Sequence, residues 1–154
     1  MLSSLSFSTG NESNLDDIKE LWEKLKTIHQ DKSPYFENYF KEFTFQKRKE
    51  QLNSYARKGE LFLIIAKIYE EKIGYCIASV KENIGEIDSI YVKEKYQKMN
   101  IGKTLIEKSL DWIKLKNPEK IVVNISIGNK EVSDFYSKYG FKPRLTQLEM
   151  NFMD

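Results

Sequence analysis

The sequence predicts a mixed α/β (α+β) fold, a twisted central sheet flanked by helices, from three observations. Three apolar runs of strand length follow one another across short polar turns. A glycine-bearing loop then opens an amphipathic helix, and another apolar strand follows that helix. Runs joined by short turns pair antiparallel, whereas strand, helix, strand implies a parallel right-handed crossover, so one sheet should contain both pairings.

Taken in order, Leu15, Ile18, Leu21, Trp22, Leu25 and Ile28 fall on one helix face. Asn14 is placed to cap this helix, with Asp17 in the first turn, where a negative side chain meets the positive end of the helix dipole. Phe36, Tyr39, Phe40 and Phe43 make a second, narrower stripe. A further helix from Thr44 should end at Gly59, a natural left-handed stop. Residues 61–69, 73–80 and 85–92 read as the strands of an antiparallel meander, turned by Glu70-Glu71-Lys72 and Lys81-Glu82-Asn83. A helix over 101–116 spreads Ile101, Leu105, Ile106, Leu110, Trp112 and Ile113 over a broad arc, and Asn117-Pro118 stops it because the residue before proline leaves the helical region. A strand over 121–127, a helix over 131–139 ending at Gly140, and a terminal strand over 145–152 complete the pattern.

At 154 residues with 40% apolar side chains, the chain can bury one sizeable core and is too short for two, so a single domain over 1–154 is expected. Lysine and arginine number 25 against 23 aspartates and glutamates, a net charge of +2 spread along the chain, which implies neither a nucleic-acid nor a membrane patch. The longest apolar run, 61–66, is far short of a membrane span. Residues 1–9 lack the basic start, apolar stretch and cleavage site of a secretory signal, so a cytoplasmic location is expected. A single Cys76 excludes an intramolecular disulfide and suits a reducing compartment. Neither Cys76 nor the lone His29 has companions that spell a metal site, so Cys76 reads as a small buried apolar residue and His29 as a helix-end surface residue.

The chemistry is concentrated in Tyr91-Val92-Lys93-Glu94-Lys95-Tyr96-Gln97-Lys98-Met99-Asn100-Ile101-Gly102-Lys103-Thr104-Leu105, which runs from a strand through a basic loop into a helix. The first N–H groups of a helix have no intrahelical partner and the aligned peptide dipoles make that end positive, so the segment is suited to phosphate. Lys98 and Lys103 add mobile charge. Gly102-Lys103-Thr104 mimics the end of a P-loop, but the glycine needed six positions before the lysine is Gln97, and Ile121-Val122-Val123-Asn124-Ile125 offers magnesium only Asn124.

Read from Gln97, the loop is Gln-x-x-Asn-x-Gly, which resembles the Q/R-x-x-G-x-G/A signature of GNAT superfamily N-acetyltransferases. Asn129, Phe135-Tyr136 and Gly140-Phe141 resemble that family's second block, and the likeness spans 60–141. Asn100 departs from the usual glycine or alanine, although asparagine adopts left-handed conformations better than most residues. The resemblance implies a mixed sheet of about six to seven strands in the order β-α-α-β-β-β-α-β-α-β, and acetyl-CoA as co-substrate without a metal. The pyrophosphate would lie on N–H groups across 98–103, with Gln97 and Thr104 bounding them. The backbone of Ile90 to Val92 would bind the pantetheine arm like an added strand, and Asn129 would touch the cofactor.

Acetyl transfer to an amine needs a base to strip the ammonium and an acid for the departing thiolate. Tyr136 matches the family tyrosine that protonates coenzyme A. Glu86 is the leading base and Asp88 the reserve; on an unbulged strand both would share a face with Ile90 and Val92. Tyr35, Phe36 and Tyr39 could contact an acceptor ammonium through their ring faces, or serve as core. The expected reaction is direct acetyl transfer to a primary amine of a small molecule or peptide. A coenzyme-A-binding module without turnover and, on Gly102-Lys103-Thr104 alone, a nucleotide-binding protein are the alternatives. The alternation of Leu148, Met150 and Phe152 permits a homodimer through terminal strands.

Overall fold

Asn11, rather than Asn14, starts the helical part of the chain. Its side chain accepts from the Ser13 N–H at 2.9 Å, while Asn14 Oδ1 accepts from the Asn11 N–H at 3.1 Å, so the two side chains satisfy the first donors reciprocally. In the computed structural model, which describes residues 4–152, this cap opens a 3-10 turn, Glu12–Ile18, leading into α1 (Lys19–Lys32). Before it lies β1 (Leu5–Gly10); after it come α2 (Glu37–Glu42) and α3 (Phe45–Lys58), whose cap Thr44 accepts from the Lys47 N–H at 3.2 Å. The meander β2 (Gly59–Ile68), β3 (Glu71–Lys81) and β4 (Ile84–Val92) precedes α4 (Ile101–Leu115), β5 (Lys120–Val123) and α5 (Lys130–Ser137).

The sheet order is β1-β2-β3-β4-β5, antiparallel except for the parallel β4–β5 pair that the α4 crossover makes. It therefore holds five strands among the described residues rather than six or seven. The terminal strand expected over 145–152 does not form: Leu148 is 91% exposed and Met150 and Phe152 lie open beside it. Two-residue alternation produces a strand only where a partner and a face to bury are both present. Likewise β5 stops at Val123, short of the expected Ile127, where it parts from β4.

Two apolar layers sandwich the sheet. Ile64, Cys76, Ala78 and Ile87 face α4, whose Ile101, Leu105, Ile106 and Ile113 are buried, while Leu63, Tyr75 and Ile77 face Leu21, Trp22 and Leu52 of α1 and α3. Among the described residues no helix is long and apolar enough to cross a membrane.

Gly59 ends α3 as expected but for a different reason. Its φ of −170° is extended, not left-handed, and a Cβ there would lie 1.9 Å from the Val80 carbonyl oxygen. The glycine lets β2 begin directly against β3. Gly59→Ala is expected to destabilise the protein by about 1–3 kcal/mol, read as a lower urea midpoint at unchanged slope, because backbone must move.

Candidate active site

At Asp88 the ladder of β4 ends on one side and is interrupted on the other. Towards β5 the register runs only from Ile84↔Lys120 to Ile87↔Val123, after which the strands part. Towards β3, Ala78 faces Ile87 and Ile77 faces Ser89, so Asp88 is an extra residue, a β-bulge. The bulge overturns the expected facing. Ile87, Ile90 and Val92 pack on the α4 side, whereas Ser89, bonded to Tyr75 Oη at 2.6 Å, and Tyr91 turn towards α1 and α3. Glu86, one residue before Ile87, therefore does not share the face of Ile90 and Val92.

The parted strands open into a cleft of about 400 Å³. Helical periodicity explains its far wall: Trp22, Leu25, Lys26 and His29 form one stripe of α1, and Arg48, Gln51 and Tyr55 one stripe of α3. Tyr39 and Phe40 of α2 and Phe43 just after it close the end, with Tyr39 stacked on Phe43 at 5.6 Å. Of the three expected aromatic contacts only Tyr39 lines the cleft. Tyr35 lies outside it at 62% exposure, and Phe36, also outside, spends its position on a left-handed turn (φ 64°) that starts α2.

His29 corrects a sequence expectation. It lines the cleft part-buried, with Nδ1 sealed from solvent and without a partner among the described residues, and burial and then Lys32 depress its pKa. Arg48, Asn124 and His29 were not singled out as site residues. The only signal was the helical spacing of Arg48, Gln51 and Tyr55, which a solvated helix face would equally display.

The two carboxylates differ. Glu86 Oε1 lies 2.9 Å from Lys81 Nζ and Oε2 accepts from Asn124 Nδ2 at 3.4 Å. Asp88 as a residue is part-exposed, yet both carboxylate oxygens are buried and no group among the described residues meets them at hydrogen-bond geometry. Burial first, and Glu86 second, push its pKa up to about 7, against the opposing pull of Ser79, Arg48 and Lys81. Arg48 Nη2 donates at 2.8 Å to the Asp88 carbonyl, replacing the ladder bond that the bulge forfeits.

Tyr136 of α5 reaches the same cleft, 3% exposed, its ring 5.6 Å from Phe141 and 5.3 Å from Phe135. Burial, reinforced by Cys76, Tyr75 and Asp88, raises its pKa and keeps the phenol protonated. Asn129 sits at the α5 N-terminus without capping it, and its Oδ1 is buried beside the cleft with no partner among the described residues.

The basic loop closes the other end of β4. Lys98 and Asn100 take left-handed φ values of 68° and 62°, and Gln97 Nε2 is spent on the Val92 carbonyl at 2.9 Å. Thr104 N–H bonds back to the Asn100 carbonyl, which leaves the N–H groups of Ile101, Gly102 and Lys103 as the unpaired start of α4.

A model of the acetyltransferase (GNAT) family matches residues 20–141. The chain belongs to that family. An N-alpha-acetyltransferase of Sulfurisphaera tokodaii is 26% identical over 99 residues, covering 56% of this chain and 59% of its own length. The chain spans about half the length of the curated relatives it matches. In fold, this GNAT chain is similar to the PaiA N-acetyltransferase of Thermoplasma acidophilum in complex with coenzyme A, with a TM-score of 0.73 at 21% identity over 94% of this chain and 93% of that one. It is also similar to an aminoglycoside acetyltransferase from a soil metagenomic sample in complex with sisomicin, with a TM-score of 0.69 at 15% identity over 97% of each chain.

Proposed function

We propose that the protein is an acetyl-CoA-dependent N-acetyltransferase that moves the acetyl group directly to a primary amine of a small molecule or peptide. The single observation that carries this is the pairing, in one cleft, of an unpartnered buried carboxylate at Asp88 with a protonated phenol at Tyr136. The groups left unsatisfied around them fit the co-substrate. The β4 backbone beyond Ile87 has no strand on its β5 side, Asn129 Oδ1 lacks a donor, and the α4 N-terminus lacks acceptors.

Acetyl-CoA would supply an activated acyl group and a thiolate leaving group. β4 from Asp88 to Val92 and Asn129 would hold the pantetheine arm, and the N–H groups of 101–103, with Lys98 and Lys103, the pyrophosphate. Asp88 accepts a proton from the acceptor ammonium, whose nitrogen then forms the new C–N bond. Tyr136 gives its proton to the sulfur as the C–S bond breaks and regains one from the nitrogen. The products are the amide, the free thiol and the one proton left on Asp88 for release to solvent. Asp88 is preferred to Glu86 as base because Glu86 is already paired with Lys81.

Calorimetry with acetyl-CoA tests the reading. Asn129→Ala is expected to raise Kd roughly 3- to 10-fold, the worth of one hydrogen bond. Absence of binding heat with the unaltered chain would overturn the function.

A further inference from the structure

The charges that line the cleft are balanced rather than acidic. Lys26 and Arg48 stand on the helix wall and Glu86 and Asp88 on β4, and Glu86 is committed to Lys81. An acceptor carrying several amines would meet two cations and only Asp88 uncommitted.

We propose that the acceptor is a small zwitterion, an α-amino acid or close analogue, whose amine lies at Asp88 and whose carboxylate is held by Arg48 with Lys26. Arg48 Nη2 donates to the Asp88 backbone carbonyl at 2.8 Å and its charge acts on the Asp88 carboxyl, so cation and base flank one part of the cleft, as the two charges of an α-amino acid require. The guanidinium has five N–H donors. One goes to the Asp88 carbonyl and one to Gln51, leaving three for a bidentate anion. Among the described residues, Lys26 is absent from the ion pairs that engage Lys41, Lys49, Lys72, Lys81, Lys93 and Lys116. One turn along α1 from Lys26, His29 presents a buried Nδ1 that no group among the described residues satisfies, available to a second ligand polar atom. Tyr39, Phe40 and Phe43 then receive an apolar or aromatic side chain.

This assignment rests on the acetyl-transfer reading, and the test separates the two. With the full chain and acetyl-CoA, thiol release is measured for phenylalanine, phenylalaninamide and phenethylamine, for the corresponding leucine series, and for spermidine, kanamycin and a peptide N-terminus. The free amino acids are expected to exceed their amides and decarboxylated amines in kcat/KM roughly 10- to 100-fold, mainly through KM. Lys26→Met should narrow that ratio while leaving acetyl-CoA affinity unchanged, and Arg48→Lys should narrow it less than Arg48→Met. Equal use of the amides, preference for the polyamine, aminoglycoside or peptide, or a ratio unmoved in Lys26→Met and Arg48→Met would each overturn the proposal. Acetyl-CoA binding without turnover of any amino acid overturns it alone; no acetyl-CoA binding removes the acetyl-transfer reading beneath it.

Discussion

Asp88→Asn is expected to lower kcat/KM on the order of 10³-fold at pH 8 and to abolish the rise of activity through pH 7. The carboxyl is held at about 7 by burial of both oxygens and by Glu86. Below that pH it is protonated and cannot take a proton from the acceptor; above it, the base is present. The same shift has a stability signature of fixed sign. In the unfolded chain an aspartate ionises near ~3.9, so between about 4 and 7 the folded state binds the extra proton. Stability therefore falls as pH rises through that window, by at most ~4 kcal/mol at about 1.4 kcal/mol per unit. Above pH 7 the full cost of a buried charge is present, and Asp88→Asn removes it. The variant should thus be nearly inactive at pH 8 yet gain stability relative to the unaltered protein between pH 5 and pH 8. Urea titrations at both pH values and a pH–rate profile check this. A surviving acid limb near 7, or no pH-dependent gain, would assign the proton transfer elsewhere and return attention to Glu86.

Tyr136→Phe is expected to reduce kcat on the order of 10²-fold with acetyl-CoA affinity within about two-fold. The substitution keeps the ring packed against Phe135 and Phe141 and removes only the hydroxyl, so unfolding free energy should change by less than ~1.5 kcal/mol. Because burial keeps the phenol protonated throughout the working range, the loss should be the same at pH 7 and pH 9. Single-turnover kinetics beside calorimetry separates the two quantities; turnover unchanged by the substitution would take Tyr136 out of the mechanism.

Much of this site is local in origin, which is why it could be read early. Phosphate-suited N–H groups at Ile101 to Lys103 need only a strand, a loop and a helix in succession, and Asn100 supplies the left-handed residue the turn requires. Tyr136 and Asn129 are placed by a short helix and its entry, again within one stretch of chain. The base was harder to choose. Glu86 and Asp88 are two residues apart, and nothing nearby in the sequence announces that Lys81 pairs with one, to which Asn124 also donates a hydrogen bond, while the other is stranded at a bulge. Tyr35 and Phe36 lie outside the cleft lining for a reason equally hidden from the sequence: their aromatic pattern continues that of Tyr39, but Phe36 takes a left-handed turn before α2 begins.

The sequence by itself determined the secondary structure between 45 and 123, the parallel crossover and the anion-suited loop, because these follow from periodicity, capping and turn chemistry within a few residues. Only the tertiary structure decided where β4 breaks, which carboxylate is left unpaired and which helix faces wall the cleft. Those outcomes depend on contacts between residues far apart in the chain, such as Arg48 on the Asp88 carbonyl forty positions away. They turn on whether a buried polar group finds its partner in space, which no local pattern encodes.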